Sequence, residues 1–193
     1  MGDTTAFQMR IYDCDPDEVA AILEIINQYQ LSSDWSYDSN AAEIDMLVLC
    51  DNYGAYEVRC GTASDVAEEL RMNAPNAAWE LWEDPKYEWL GDYWAHVDPL
   101  GTFSHSCDSD GQPVFTGEIV KALLASPDEL DLKLGLQHAE RLTELRELTQ
   151  ETVLYDERHR CSACGGNESD LEDGMCGGCW HDARRSGWEA PSV

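Results

Sequence analysis

Four cysteines near the C-terminus are spaced to grip one metal ion. They are Cys161-Ser-Ala-Cys164, then eleven residues, then Cys176-Gly-Gly-Cys179. In a CxxC pair one tight turn brings two thiolates to the same ion, and two such pairs close a tetrahedral site of the kind Zn²⁺ prefers. Gly165, Gly166, Gly177 and Gly178 let the backbone turn tightly around the ligands. His159 and His181 flank the set and could each replace a thiol, but four well-spaced cysteines leave them no necessary role.

The order Cys-x-x-Cys-Gly, acidic loop, Cys-x-x-Cys, short polar helix resembles the zinc-ribbon and treble-clef families over about residues 158 to 188. That resemblance implies a closed four-thiolate site that builds structure and performs no chemistry. A module of this size cannot bury enough core to fold alone, and metal binding of order 10 kcal/mol takes its place. The densest basic cluster of the chain sits beside the cysteines: Arg158, Arg160, Arg184 and Arg185. It reads either as helix-end cations or as a small nucleic-acid patch, and Glu168, Asp170, Glu172 and Asp173 in the same module oppose the second reading.

Charge is the second signal. Thirty-nine Asp and Glu face twelve Lys and Arg, a formal −27. The excess is spread along the chain, with 24 acids against 5 bases in residues 1–126 and 15 against 7 in residues 127–193. Such a field repels nucleic-acid phosphates and attracts basic protein surfaces. Salt adaptation would explain it without a partner. The sharper reading is that carboxylates stand in for phosphates and occupy a nucleic-acid-binding protein. In size and charge the chain resembles acidic phage- and plasmid-encoded anti-restriction proteins, which implies a DNA mimic.

No apolar run approaches the length of a membrane span, and no basic-then-apolar leader opens the sequence. With a four-thiolate site, this leads us to expect a reducing cytoplasm. No phosphate loop, nucleophile elbow, HExxH or dinucleotide fingerprint occurs, so no catalytic mechanism is read and no enzyme expected.

One stretch gathers aromatics and acids: four Trp and two Tyr among five acids from Trp79 to Trp94. One helix end and one strand cannot bury all six rings on a single face, so part of it should anchor a basic partner. Trp82, Glu83, Asp84, Glu88, Trp89 and Asp92 are the expected contacts. His96, His105 and Cys107 form the one group that could approach as a second metal or catalytic site, with a core face holding one histidine as the alternative. Cys14, Cys50 and Cys60 are expected as buried, reduced thiols.

Periodicity supplies the elements. Residues 7–13 alternate as a strand, Asp15-Pro16-Asp17-Glu18 opens a helix to Gln30, and 46–51 and 55–60 read as a hairpin. A helix capped by Thr62 or Ser64 uses apolar positions as far as Leu81, with Pro75 inside it expected to kink or split it. Strands follow at 87–97, 102–107 and 112–116, then a helix over 117–125 and a long helix from Pro127 toward Arg158. The order β-α-β-β-α-β predicts an α+β fold: a ferredoxin-like, split-βαβ antiparallel sheet with two helices on one face and extra strands. Three units are expected: an acidic domain over 1–126, a connecting helix over 127–157, and a zinc knob over 158–193.

Protein purified under reducing conditions should carry one zinc per chain. Cys164→Ser or Cys176→Ser should melt the terminal module while the acidic domain stays folded. Metal analysis below about half a zinc per chain, with all four thiols freely labelled, would refute the site.

Overall fold

The computed structural model describes residues 3–35, 43–125 and 130–156. In chain order the elements are β1 Thr4–Asp13, α1 Val19–Gln28, β2 Met46–Val48, β3 Tyr53–Arg59, α2 Thr62–Asn73, β4 Ala78–Glu83, β5 Gly91–Val97, β6 Gly101–Cys107, α3 Gly117–Ala125, α4 Leu130–Lys133, α5 Leu136–Thr149 and β7 Val153–Tyr155. The α+β class is as expected. Five strands form one antiparallel sheet in the order β3-β1-β4-β5-β6.

Side-chain alternation divides this sheet into two buried faces. Phe7, Met9 and Ile11 of β1 lie with Trp79 and Leu81 of β4 against α1 and α2, through Ile22, Ile26, Val66 and Leu70. The opposite face carries Tyr12, Trp82, Tyr93, Ala95 and Phe103, covered by Leu142 and Leu145 of α5. A central strand in such a three-layer arrangement has no solvent face, so Ala78, Trp79, Leu81 and Trp82 of β4 are all buried, and its two acids must find partners inside.

The split-βαβ order is not completed among the described residues. The expected hairpin partner of β3 is β2, but Met46–Val48 pairs instead with Val153–Tyr155 as a separate two-stranded sheet. Leu47 and Leu49 are buried in the first core, so the segment is held by packing and not by a neighbouring turn. The main sheet grows on its other side, through β5 and β6.

Three further expectations are corrected. Residues 78–83 are strand, not the end of a helix. Helix α2 stops at Asn73, two residues before Pro75, and Trp79, Leu81 and Glu83 then alternate with Glu80 and Trp82 at period two. The long helix from Pro127 is interrupted: Leu134 and Gly135 separate α4 from α5, with Gly135 at φ 76 beneath the Phe103 ring. A Cβ there would meet that ring at 2.6 Å, so glycine is required for both conformation and space. Leu142 and Leu145 of α5 pack in the second core cluster. The third expected strand, 112–116, is reduced to a single bridge between Cys107 and Pro113.

Helix capping is partly as the sequence suggests. The Glu18 carboxylate reaches back to accept from Asp15 N at 3.1 Å, half of a capping box, although the regular helix begins only at Val19. Its other oxygen accepts from Asn76 N at 2.8 Å, tying the start of α1 to the α2–β4 loop. Neither Thr62 nor Ser64 caps α2: their hydroxyls donate to Arg59 O and Gly61 O. The cap comes from across the sheet, where the buried Glu83 carboxylate accepts from Gly61 N at 2.9 Å and Ala63 N at 3.2 Å.

Removing this carboxylate leaves two helix N–H groups without their acceptor, at a cost of about 1–3 kcal/mol. Glu83→Ala should lower stability by that amount in urea and speed amide exchange at Gly61 and Ala63 ahead of the rest of α2. Unchanged exchange at those two amides would refute the cap.

Candidate functional site

Strands β4 and β5 pair from Trp79↔His96 to Glu83↔Asp92, and their connection carries the aromatic and acidic stretch. Two bonds fix the loop tip: Lys86 N donates to Trp89 O at 3.0 Å and Trp89 N to Lys86 O at 2.9 Å. Tyr87 sits in the left-handed region at φ 54. The base is tied to β1, where Thr5 Oγ1 donates to Asp84 O at 2.8 Å and Asp84 N to Ala6 O at 2.9 Å. The projecting rings thus stand on a hydrogen-bonded turn.

Burial splits the six rings. Trp79, Trp82 and Tyr93 are inside, Trp94 is half-buried, and Tyr87 and Trp89 are 80% and 70% exposed, with Leu90 beside them at 53%. Lys86 Nζ lies 5.4 Å from the Tyr87 ring centroid. Glu88 and Asp92 are exposed and Asp84 is half-buried, its carboxyl pushed up chiefly by burial. Of the six expected contacts, Glu88, Trp89 and Asp92 face solvent. Trp82 and Glu83 do not: Trp82 is 5% exposed under Arg10, whose guanidinium carbon is 5.2 Å from the ring centroid, and Glu83 caps α2. The strand at 78–83 turns both inward.

Glu80, also within the acidic stretch, is an internal acid. Its carboxylate accepts from Tyr12 Oη at 2.5 Å, Arg10 Nη1 at 3.0 Å and Tyr93 Oη at 3.0 Å. Burial and the Glu80 charge raise both tyrosine hydroxyls well above their ordinary range, so they remain donors. The sequence carried one signal of this cluster: an acid set among Trp, Leu and Trp on a strand.

His96, His105 and Cys107 are not brought together. Register pairs His96 with Thr102, so it faces the helices and stacks on Trp79 at 5.6 Å. His105 and Cys107 occupy the opposite face, His105 against Phe115 at 4.2 Å and Cys107 buried with its thiol toward Glu83 O. One residue of register separates this from the expected hairpin, and one residue reverses the face. Burial lowers His96 and pushes the Cys107 thiol up to about 12, with nearby carboxylates adding to the latter, so neither is poised as a nucleophile and base.

Cys14, Cys50, Cys60 and Cys107 are all free thiols. Among the described residues no group of three or more His, Cys, Asp or Glu could hold a metal ion. Cys161, Cys164, Cys176 and Cys179, together with Arg158, Arg160, Arg184 and Arg185, lie outside the described residues. No helix of the described residues is long and apolar enough to cross a membrane. Comparison with protein-family models, curated proteins and solved structures finds no match.

Two tryptophan substitutions separate the inner rings from the outer. Trp82→Ala should cost about 3–5 kcal/mol, whereas Trp89→Ala should stay within about 0.5 kcal/mol of the parent. Equal losses in urea denaturation would contradict the division.

Proposed function

We propose that this chain binds a basic protein, a nucleic-acid-binding protein in particular, by presenting carboxylates where nucleic acid presents phosphates. The observation that carries this reading is the β4–β5 turn. It holds Tyr87, Trp89 and Leu90 in solvent beside Glu88 and Asp92, on a chain of formal charge −27. Exposed aromatics cost solubility unless something covers them, and rings among carboxylates suit lysine and arginine side chains through both cation–π contact and charge. The long-range field would accelerate encounter, and the rings would slow release.

The cysteine set Cys161, Cys164, Cys176 and Cys179 would hold one Zn²⁺, which the donor chemistry fits: four soft ligands in two pairs make a closed structural site. That ion would supply folding energy to its own module. A reducing cytoplasm is the compartment in which such thiolates persist.

The test replaces the exposed residues only. Chain immobilised in cell lysate should retain basic nucleic-acid-binding proteins that added duplex DNA displaces. Glu88→Lys/Trp89→Ala/Asp92→Lys should abolish that retention without unfolding. Salt should weaken it, since the screening length falls from ~8 Å near physiological ionic strength to ~3 Å at 1 M. Retention that survives the triple variant, or that 1 M salt leaves intact, would mean the acidity serves salt adaptation.

A further inference from the structure

The two-stranded ribbon of β2 and β7 is apolar on both faces. Its strands read Met46-Leu47-Val48 and Val153-Leu154-Tyr155. The register pairs Met46 with Tyr155, Leu47 with Leu154 and Val48 with Val153. Side chains alternate across a strand, so Leu47 and Leu154 share one face and Met46, Val48, Val153 and Tyr155 the other. Leu47 and Leu154 pack on the first core. On the outer face Met46, Val153 and Tyr155 are 44%, 41% and 46% exposed. An antiparallel pair with one wet face ordinarily alternates apolar with polar residues. This ribbon has the composition of strands covered on both sides, yet among the described residues its outer face is not buried.

The path of the chain selects the occupant. β7 ends at Tyr155, and residues 157–193, outside the described residues, follow it directly. Cys161 stands six residues after Tyr155, within a reach of about 20 Å at most. A segment tied that closely meets the ribbon at an effective concentration of about a millimolar or more, so it needs little area to dock. Two separate proteins need roughly 20–30 residues a side for a stable association, and four side chains fall far short of that.

The composition of the segment fits the face. Its 37 residues include Leu171, Met175, Trp180 and Trp188, and so short a stretch buries two tryptophans poorly by itself. It also holds four of the chain's twelve cations, Arg158, Arg160, Arg184 and Arg185, whereas residues 1–156 carry 32 acids against 8 bases. Antiparallel pairing puts the exit of the chain at Tyr155 beside the start of β2, where Glu43 and Asp45 precede Met46. The segment thus offers both apolar side chains to the ribbon and cations to the acids at its end.

We propose that residues 157–193 dock on the outer face of the β2–β7 ribbon, with Trp180 or Trp188 over Met46, Val153 and Tyr155. The terminal segment is then held against the acidic body. This contact is independent of the β4–β5 turn, and it rests on the ribbon and not on a bound ion.

The experiment places the photoreactive residue p-benzoylphenylalanine at position 46 of the full chain. Met46 is exposed and far from the segment in sequence, so a link reports docking and not chain connectivity. Irradiation followed by trypsin should join the peptide containing position 46 to peptide 161–184 or 186–193 within one molecule. In a second arm, Met46→Thr/Val153→Thr/Tyr155→Thr makes the outer face polar with residues that suit a strand. It should quicken trypsin cleavage after Arg184 and Arg185 about tenfold. The Leu49 amide, which donates to Thr152 O at 2.8 Å, should stay slow to exchange, showing that the ribbon remains paired. Zinc is measured on the same samples, and a zinc-free chain that still links upholds the docking. The proposal is overturned if links form only between two copies or if no link to residues 161–193 forms, with or without zinc. It is equally overturned if the triple variant leaves cleavage unchanged.

Discussion

Strand β4 is buried on both faces and carries two carboxylates into the interior, and the remaining architecture is arranged around that demand. A buried carboxylate is costly unless charge and hydrogen bonds satisfy it. Glu80 points to one face and is met by Arg10 and Tyr12 from β1 and by Tyr93 from β5. Glu83 points to the other and is met by the open N-terminus of α2. Each acid therefore links β4 to elements on either side, and neither could be satisfied if the strand shifted by one residue.

This arrangement changes how the acidity of the chain should be understood. Two acids in the most aromatic stretch are structural and do not contribute to the outer surface. Glu88 and Asp92, beyond the strand, are left free to act in solvent beside Tyr87 and Trp89. The turn that exposes those rings is braced by Lys86 and Trp89 and anchored to β1 through Thr5 and Ala6. A rigid aromatic projection loses little entropy on binding, which suits an anchor.

Helix α5 completes the body from the second side. Leu142 and Leu145 cover the outer sheet face, His138 Nε2 lies 3.1 Å from Gly101 O, and Thr149 Oγ1 donates to Tyr12 O at 2.6 Å. The strand that follows then closes on β2, so a segment far along the chain fixes Met46–Val48. Leu142 and Leu145 thus cover one sheet face, and Val153–Tyr155 pairs with Met46–Val48.

The sequence by itself determined what depends on neighbours along the chain. Period-two alternation marked β1, the reach-back of Glu18 was present in Asp-Pro-Asp-Glu, and α3 lies at 117–125 as its pattern requires. The cysteine spacing, from residue order alone, is what supports the proposed metal-ligand set. Tertiary structure decided what depends on partners distant in sequence. Trp79–Glu83 fits a helix or a strand by composition, and only pairing with β1 and β5 on both sides selects the strand. The face of His96 was set by one residue of hairpin register, and the partner of β2 by a strand more than a hundred residues later. Whether an acid serves the surface or the core was decided the same way, because Glu80 and Glu88 have equal intrinsic chemistry and differ only in which donors the fold brings to them.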